Sequence, residues 1–178
     1  AMQPGRQRTF AAASTVLACL VLTWGASARA DSAYPWTKAP PNGTIASRVP
    51  TPPGWNRIPA AADSFAAWLR GLPVRPGRPD VHLFNGKVKG NQAAHIVVLD
   101  VDTGRRDLQQ CADAVMRLRA EFQRQAGREG DVCFRFTDGT PARWSDWKQG
   151  QRPRLVGRKM QWEKRAAVDA SYASFRRY

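Results

Sequence analysis

Residues 94–124, AHIVVLDVDTGRRDLQQCADAVMRLRAEFQR, place an apolar run directly before an amphipathic segment. The run over 94–102 is apolar on both faces at its centre, which predicts a strand inside a sheet. Apolar side chains recur at helical spacing over 106–124, and Asp107 with Gln110 three residues later predicts a capping box. The predicted buried face of this helix holds Leu108, Cys111, Val115, Leu118 and Phe122, and its wet face holds Gln110, Asp113, Arg117, Glu121 and Arg124.

Turn and capping signals predict shorter elements around this unit. Asp63 or Ser64 begins and Gly71 ends a short helix, because these residue types favour helix termini. The remaining predictions are a hairpin over 81–88 at Asn85-Gly86, a strand over 131–137, a turn over 137–139, a helical turn over 145–147, a last hairpin about Gly157 and a helix from Ser171. The predicted fold class is α+β, a mostly antiparallel sheet of about five strands with the 106–124 helix packed on it.

The first thirty residues have the three parts of a secretory signal peptide. Arg6 and Arg8 precede an apolar run over 10–24, and Ala28 and Ala30 supply the small side chains of a cleavage site. This run is shorter than the roughly 20 apolar residues of a membrane-spanning helix. We therefore expect cleavage after Ala30 and export to the periplasm or the cell exterior.

A lipoprotein box is the competing interpretation of the leader. Val16-Leu17-Ala18-Cys19 would place a lipid on Cys19, but the apolar run continues beyond it, where a lipoprotein turns polar. A Pro- and Gly-rich arm over 31–60 follows, and Trp36 and Trp55 are predicted to pin it to a single α+β domain over 61–178. No further segment is apolar enough to span a bilayer.

The chain is strongly basic, with 28 lysines and arginines against 14 acidic residues and a net charge of +14. The leader carries three arginines and no acid, so the 148 residues after it keep +11 of that charge. Such a charge favours an anionic partner. For an exported chain we expect an envelope glycan or a lipid head group and no nucleic acid, since no nucleic-acid motif is present. The alternative is a solvated basic surface without a partner.

Five segments after Tyr34 carry a family resemblance: NQAAHIVVLDVD over 91–102, RDLQQCADAVMRLRAE over 106–121, FRFTDG over 134–139, WKQG over 147–150 and SYASFR over 171–176. On these landmarks the chain resembles a bacterial family, domain of unknown function 4846. The resemblance implies an exported or lipid-anchored protein that runs longer at its C-terminus, so we expect this sequence to be incomplete there. It implies no activity and no catalytic residue.

His95 and Cys111 are the candidate catalytic pair. The predicted strand and helix could bring them together, and a cysteine beside a histidine is a nucleophile with its base. The alternative, which we favour, is a hydrogen-bonded interior histidine beside a structural cysteine, since free cysteine is among the most buried residue types.

Acidic side chains cluster at the carboxyl end of the predicted strand. Asp100 and Asp102 share one face there, and Arg105, Arg106 and Asp107 follow at once. Binding sites gather at strand ends in α/β sheets, and paired carboxylates can hold a cation or share a proton. We favour salt bridges to Arg105 or Arg106 and keep Asp100, Asp102 and Arg106 as binding candidates.

An aromatic and basic cluster follows further along the chain. Trp144 and Trp147, with Arg152 nearby, are residue types that stack on sugar rings and bind acidic groups. The i, i+3 spacing of the two tryptophans equally predicts one face of a core, which is the alternative that we favour.

The two cysteines after the leader are not predicted to bridge. Cys111 is assigned to the core face of the helix, whereas Cys133 lies on the strand face away from Phe134 and Phe136, so the two sulfur atoms would lie on opposite sides of the sheet. No CxxC or HExxH spacing is present, and no metal or cofactor is expected.

Two functions are consistent with these patterns. The first is an uncharacterised envelope protein that binds an anionic glycan or lipid head group. The second is a hydrolase of cell-wall peptide or ester bonds, with Cys111 as nucleophile and His95 as base.

Overall fold

Residues 34–37, 43–104 and 106–178 are described by the computed structural model. The predicted leader, its cleavage after Ala30 and the alternative lipid site at Cys19 lie outside these residues. The helices are α1 (Ile45–Arg48), α2 (Phe65–Arg70), α3 (Cys111–Gln125), α4 (Trp144–Lys148) and α5 (Tyr172–Phe175), with a 3₁₀ turn over Glu129–Asp131. The strands are β1 (Cys133–Arg135), β2 (Pro141–Arg143), β3 (Gln151–Val156) and β4 (Lys159–Lys164).

The strands pair as two antiparallel hairpins, β1 with β2 and β3 with β4. The turn over 137–139 joins the first hairpin, and Gly157, with φ of +61°, lies in the turn of the second. The α+β class is confirmed, but the sheet of about five strands is not: the described residues contain two sheets of two strands each. Within the same ranges, no helix has the length and apolarity needed to cross a bilayer.

The prediction of a central strand over residues 94–102 is wrong. This segment is extended, with a single bridge from Leu99 to Val74, and Ile96 is 63% exposed. The amide of Asp100 donates to the carbonyl of Pro73 (2.9 Å), but Pro73 has no N–H with which to return a hydrogen bond to Asp100. A ladder cannot continue past such a residue, so the pairing stops after one bridge.

Helix α3 begins five residues later than predicted. Its N-cap is Gln110, whose amide donates to Asp113 Oδ2 (3.2 Å), so Asp113 replaces Asp107 as the acid at the helix start. The buried residues are Ala120, Glu121, Phe122 and Gln123, all in the C-terminal half. The predicted buried face is therefore wrong for Leu108, Cys111 and Val115, which are exposed, and the predicted wet face is wrong for Glu121, which is 2% exposed.

Two clusters of packed side chains, one around Phe122 and one around Trp144, account for this uneven burial. Phe122 packs on Phe65 (5.2 Å between ring centroids) and on Trp68 (5.9 Å), which anchors α2 to the second half of α3. Helix α2 is capped by Ser64 and ends at Gly71, as predicted. Around Trp144, which is fully buried, Ala120, Val132 and Phe175 form the core of the C-terminal part. The first half of α3 lies outside both clusters and stays exposed.

The arm and the 81–88 segment follow the predictions in part. Trp36 packs on Trp68 (6.2 Å between centroids), whereas the prediction for Trp55 is wrong, since that side chain is 73% exposed. Helix α1 forms within the arm, capped by Thr44. The turn at Asn85-Gly86 is confirmed, with one bridge from His82 to Val88.

Candidate functional site

A cleft of about 520 Å³ lies in the C-terminal part of the chain. Its lining comes from helices α3 and α4, all four strands, the segment over 175–178, and five residues before α3, namely Thr103, Gly104, Arg106, Leu108 and Gln109. On one side of the cleft, Trp144 packs its buried ring edge-on against Phe175 (5.1 Å) and Tyr178 (5.8 Å). The wall formed by Phe175 and Tyr178 therefore belongs to the packed core of the C-terminal part, whereas the wall formed by Leu108 and Met116 is exposed.

Arginines and aromatic rings dominate the lining of this cleft. The arginines are Arg106, Arg117, Arg135, Arg176 and Arg177. The aromatic residues are Phe134, Phe136, Trp147, Trp162, Phe175 and Tyr178. Only two acidic residues, Asp113 and Glu121, line it as well. The cleft therefore combines an excess of positive charge with flat apolar surfaces.

Asp102 joins the loop before α3 to two of these arginines. Arg117 Nη2 donates to Asp102 Oδ1 (2.6 Å), and Arg176 Nη1 donates to Asp102 Oδ2. Burial opposes ionisation of Asp102, but the hydrogen bonds and charges of both arginines outweigh it and hold its pKa below the ordinary value. Because Arg117 lies on α3 and Arg176 directly follows α5, this carboxylate links the two helices.

Glu121 is the buried acid of the site. Its side chain is 2% exposed, and Tyr172 donates its hydroxyl to Oε1 (2.8 Å). Arg117 Nε lies 3.7 Å from the same oxygen. Burial raises the pKa of Glu121 above its ordinary value, since it outweighs the Tyr172 hydrogen bond and the charges of the arginines. Burial, with the charge and hydrogen bond of Glu121, raises the pKa of Tyr172 to about 12.

A family model described as domain of unknown function 4846 matches residues 45–178. The chain belongs to this family. The matched region contains every residue that lines the cleft and both partners of the Tyr172–Glu121 hydrogen bond. Searches of curated proteins and of solved structures find no significant match to the chain. Family membership therefore indicates no activity, and the cleft is the feature of the chain that bears on its function.

Asp100, Asp102 and Arg106 are the binding residues predicted at the carboxyl end of the 94–102 segment. In this family member, Arg106 is exposed and lines the cleft. Asp102 does not line the cleft itself but binds two arginines that do, Arg117 and Arg176. Asp100 pairs with Arg75 instead (3.7 Å). The two aspartates do form salt bridges, but with Arg75, Arg117 and Arg176 rather than with Arg106. The other expected partner, Arg105, lies outside the described residues.

The tryptophan cluster divides between core and cleft. Trp144 is completely buried, which fits the core packing that its spacing with Trp147 allowed. Trp147 lines the cleft, and the Arg152 guanidinium stacks on its ring at 3.9 Å from the centroid. Arg152 also donates to the carbonyl of Trp147 (2.8 Å). Arg152 thus fixes Trp147 from behind and does not itself line the cleft.

The candidate catalytic pair is not joined by a hydrogen bond among the described residues. His95 Nε2 lies 3.1 Å from the carbonyl oxygen of Pro79, and its buried Nδ1 has no partner there. Cys111 is exposed at the first turn of α3, which corrects its placement in the core. The Cys–His hydrolase stays a prediction.

The two described cysteines, Cys111 and Cys133, are free and exposed. The described ranges contain no group of three or more metal-binding side chains. Sequence reasoning missed the cleft residues Glu121, Arg135, Trp162, Arg176 and Arg177. One available signal was the i, i+4 spacing of Arg117 and Glu121, two residues that the sequence pattern assigned to the wet face of the helix.

Proposed function

We propose that this chain is an exported envelope protein that binds an anionic glycan in the cleft. One observation carries the proposal: five arginines and six aromatic side chains line a cavity of about 520 Å³, a volume typical of small-molecule sites. Guanidinium groups recognise carboxylates through paired hydrogen bonds, and aromatic faces pack on the apolar faces of sugar rings.

Two of the arginines are available to a ligand. Arg106 and Arg135 are exposed, and neither forms an ion pair within the described part of the chain. Arg135 is oriented by a hydrogen bond to the carbonyl of Gly139 (2.9 Å). By contrast, Arg117 and Arg176 are committed to Asp102, and Arg177 is paired with Asp169 (3.0 Å). A charged ligand would therefore be held by Arg106 and Arg135.

Two tryptophans supply the flat surfaces. Trp147 is held by Arg152 on its ring and by a hydrogen bond from its Nε1 to Ser174 Oγ (3.3 Å). Trp162 Nε1 donates to the carbonyl of Pro141 (3.0 Å). Both indole N–H groups are thus satisfied within the protein, so a ligand would contact the ring faces rather than the N–H groups. For Trp147 this is the face that Arg152 does not cover.

The envelope location rests on the sequence. The leader-like first thirty residues and the +11 charge of the remainder support export towards anionic envelope polymers. A glycan is favoured over a lipid head group because aromatic rings form so much of the cleft wall, and sugar rings use such surfaces.

Binding of oligogalacturonate to the full chain, followed by titration calorimetry at low salt, tests the proposal. Arg106→Gln should weaken binding about threefold to tenfold, as expected for loss of one hydrogen-bonded charge near solvent. Arg158→Gln is the matched control, because Arg158 is also exposed but lies outside the cleft lining. Equal weakening by both substitutions would show that only the overall charge matters and would overturn the cleft as the site.

A further inference from the structure

A short hairpin over residues 81–89 carries three large apolar side chains that the rest of the described chain does not cover. Leu83 is 46%, Phe84 55% and Val88 53% exposed, all within six residues. A single exposed apolar residue is ordinary on a protein surface, whereas a group of them marks a place of contact. None of the residues 81–89 lines the cleft, so this hairpin is separate from the proposed glycan site.

Hydrogen bonds hold the 81–89 hairpin in one shape. The Leu83 amide donates to the carbonyl of Lys87 (2.7 Å), and the Lys89 amide donates to that of Val81 (2.9 Å). At the base, the side-chain amide of Gln92 accepts from the Val81 amide (2.9 Å) and donates to the carbonyls of Val81 (3.0 Å) and Lys89 (2.6 Å). The hairpin cannot turn its apolar side chains inward without losing these bonds.

Basic side chains accompany the apolar ones. Lys87 and Lys89 are exposed, and neither forms an ion pair within the ranges that the structure describes. No acidic residue occurs between Asp80 and Asp100, and Asp100 is already paired with Arg75 (3.7 Å). The hairpin thus combines apolar side chains with unpaired positive charge, a combination typical of segments that bind at the surface of an anionic bilayer.

The kind of basic residue distinguishes a bilayer from a protein partner. Protein interfaces are depleted in lysine and enriched in arginine. At a lipid surface, by contrast, the long stem of a lysine lies against apolar groups while its ammonium group reaches the head groups. A second copy of this chain would bring the same two lysines and the same net charge with it, so like charges would oppose that contact.

We infer that the 81–89 hairpin docks this protein on an anionic bilayer surface. Leu83 and Phe84 enter the boundary between head groups and acyl chains, and Lys87 and Lys89 meet the lipid phosphates. This docking goes beyond the proposed function, because a different set of residues carries it. Failure of vesicle binding therefore leaves glycan binding in the cleft untouched, and the Arg106→Gln calorimetry answers that question separately.

Sedimentation with lipid vesicles tests the inference on the Asp31–Tyr178 form of the chain. The described contacts lie within this compact unit, and its use keeps the apolar leader out of the assay. Binding to vesicles of equal parts phosphatidylglycerol and phosphatidylcholine should be about twentyfold tighter than binding to pure phosphatidylcholine, since each lysine near an anionic surface contributes about fivefold. Equal binding to both kinds of vesicle, or binding to neither, overturns the inference.

Two substitutions separate insertion from charge attraction. Phe84→Ala should weaken binding to the mixed vesicles about fivefold to tenfold, because about half of the phenylalanine surface would move from water into lipid. Ile58→Ala is its control and should have less than about a twofold effect, since Ile58 is 76% exposed but the neighbouring Arg57 is bound to the carbonyl of Val49. Lys87→Gln should weaken binding about fivefold, against Arg165→Gln as an exposed basic control outside the hairpin.

Three outcomes of the variant series contradict the inference. Equal losses for Phe84→Ala and Ile58→Ala show unspecific adhesion of apolar side chains. A loss with Lys87→Gln but not with Phe84→Ala shows charge attraction without insertion. A dimer that Phe84→Ala dissociates in sedimentation velocity identifies a second copy as the occupant of the hairpin. Leu83→Ala replaces Phe84→Ala throughout if the latter fails to fold.

Discussion

Replacing Gly150 with alanine should destabilise the fold by about 3 kcal/mol. Gly150 joins α4 to β3 with φ of +86°, a conformation that costs an L-residue about 1–2 kcal/mol. A Cβ built there would lie 2.1 Å from the carbonyl oxygen of Ala166, and relieving such an overlap costs about 1–3 kcal/mol more. The carbonyl oxygen of Gly150 accepts hydrogen bonds from the amides of Arg165 and Ala166 (both 3.0 Å). The backbone at Gly150 therefore has little freedom to move away from Ala166.

The assay is thermal unfolding with Gly157→Ala as the matched control. Gly157 also has a positive φ (+61°), but its Cβ would meet nothing within 4 Å, so only the conformational cost of about 1–2 kcal/mol applies. At about 2–4 °C per kcal/mol for a chain of this size, Gly150→Ala should lower Tm by roughly 6–12 °C, about twice the effect of the control. Equal shifts for the two variants would refute the argument from close packing against Ala166.

Three further outcomes are expected. The pKa of Asp102 is lower in the folded chain than its ordinary value of 3.8. The ionised Asp102 side chain therefore contributes its full stabilisation above pH 3.8, and this stabilisation is lost as the pH falls through the pKa that Asp102 has in the folded chain. Acid titrations followed by circular dichroism should therefore show a weaker loss of stability at low pH for Asp102→Asn than for the wild-type chain. Superimposable curves would contradict a stabilising role for the contacts of Asp102 with Arg117 and Arg176. Tyr172→Phe should cost about 1–3 kcal/mol in urea unfolding at neutral pH, because it removes the hydrogen bond to the buried Glu121; an unchanged midpoint would count against that bond. Iodoacetamide should modify Cys111 and Cys133 in the native chain, as peptide mass spectrometry can show, and protection of either thiol would contradict its exposure.

Local chemistry made part of the fold predictable. Ser64 and Gly71 bound α2, Gly157 turns the last hairpin, and Ser171 caps α5, because each acts on backbone groups a few residues away. The 94–102 segment failed for a non-local reason. Its apolar pattern is that of a buried strand, but its neighbouring segment contains Pro73, which cannot donate a hydrogen bond to a ladder.

The site was less predictable than the fold. Arg106 and Trp147 were singled out from sequence and do line the cleft. Glu121 looked solvated, because its helical neighbours are arginines and an acid among them usually faces water. Its burial depends on Tyr172, 51 residues further on, and the Asp102–Arg176 contact spans 74 residues. Periodicity along one helix contains no information about such partners.

The indole N–H signals of the full chain, followed by NMR during titration with oligogalacturonate, test the central claim most directly. Trp147 and Trp162 line the cleft, whereas Trp55 is 73% exposed and lies outside its lining. Binding in the cleft predicts that the signals of Trp147 and Trp162 shift together and saturably while that of Trp55 stays in place. Saturable binding that leaves both cleft signals unmoved would contradict the account.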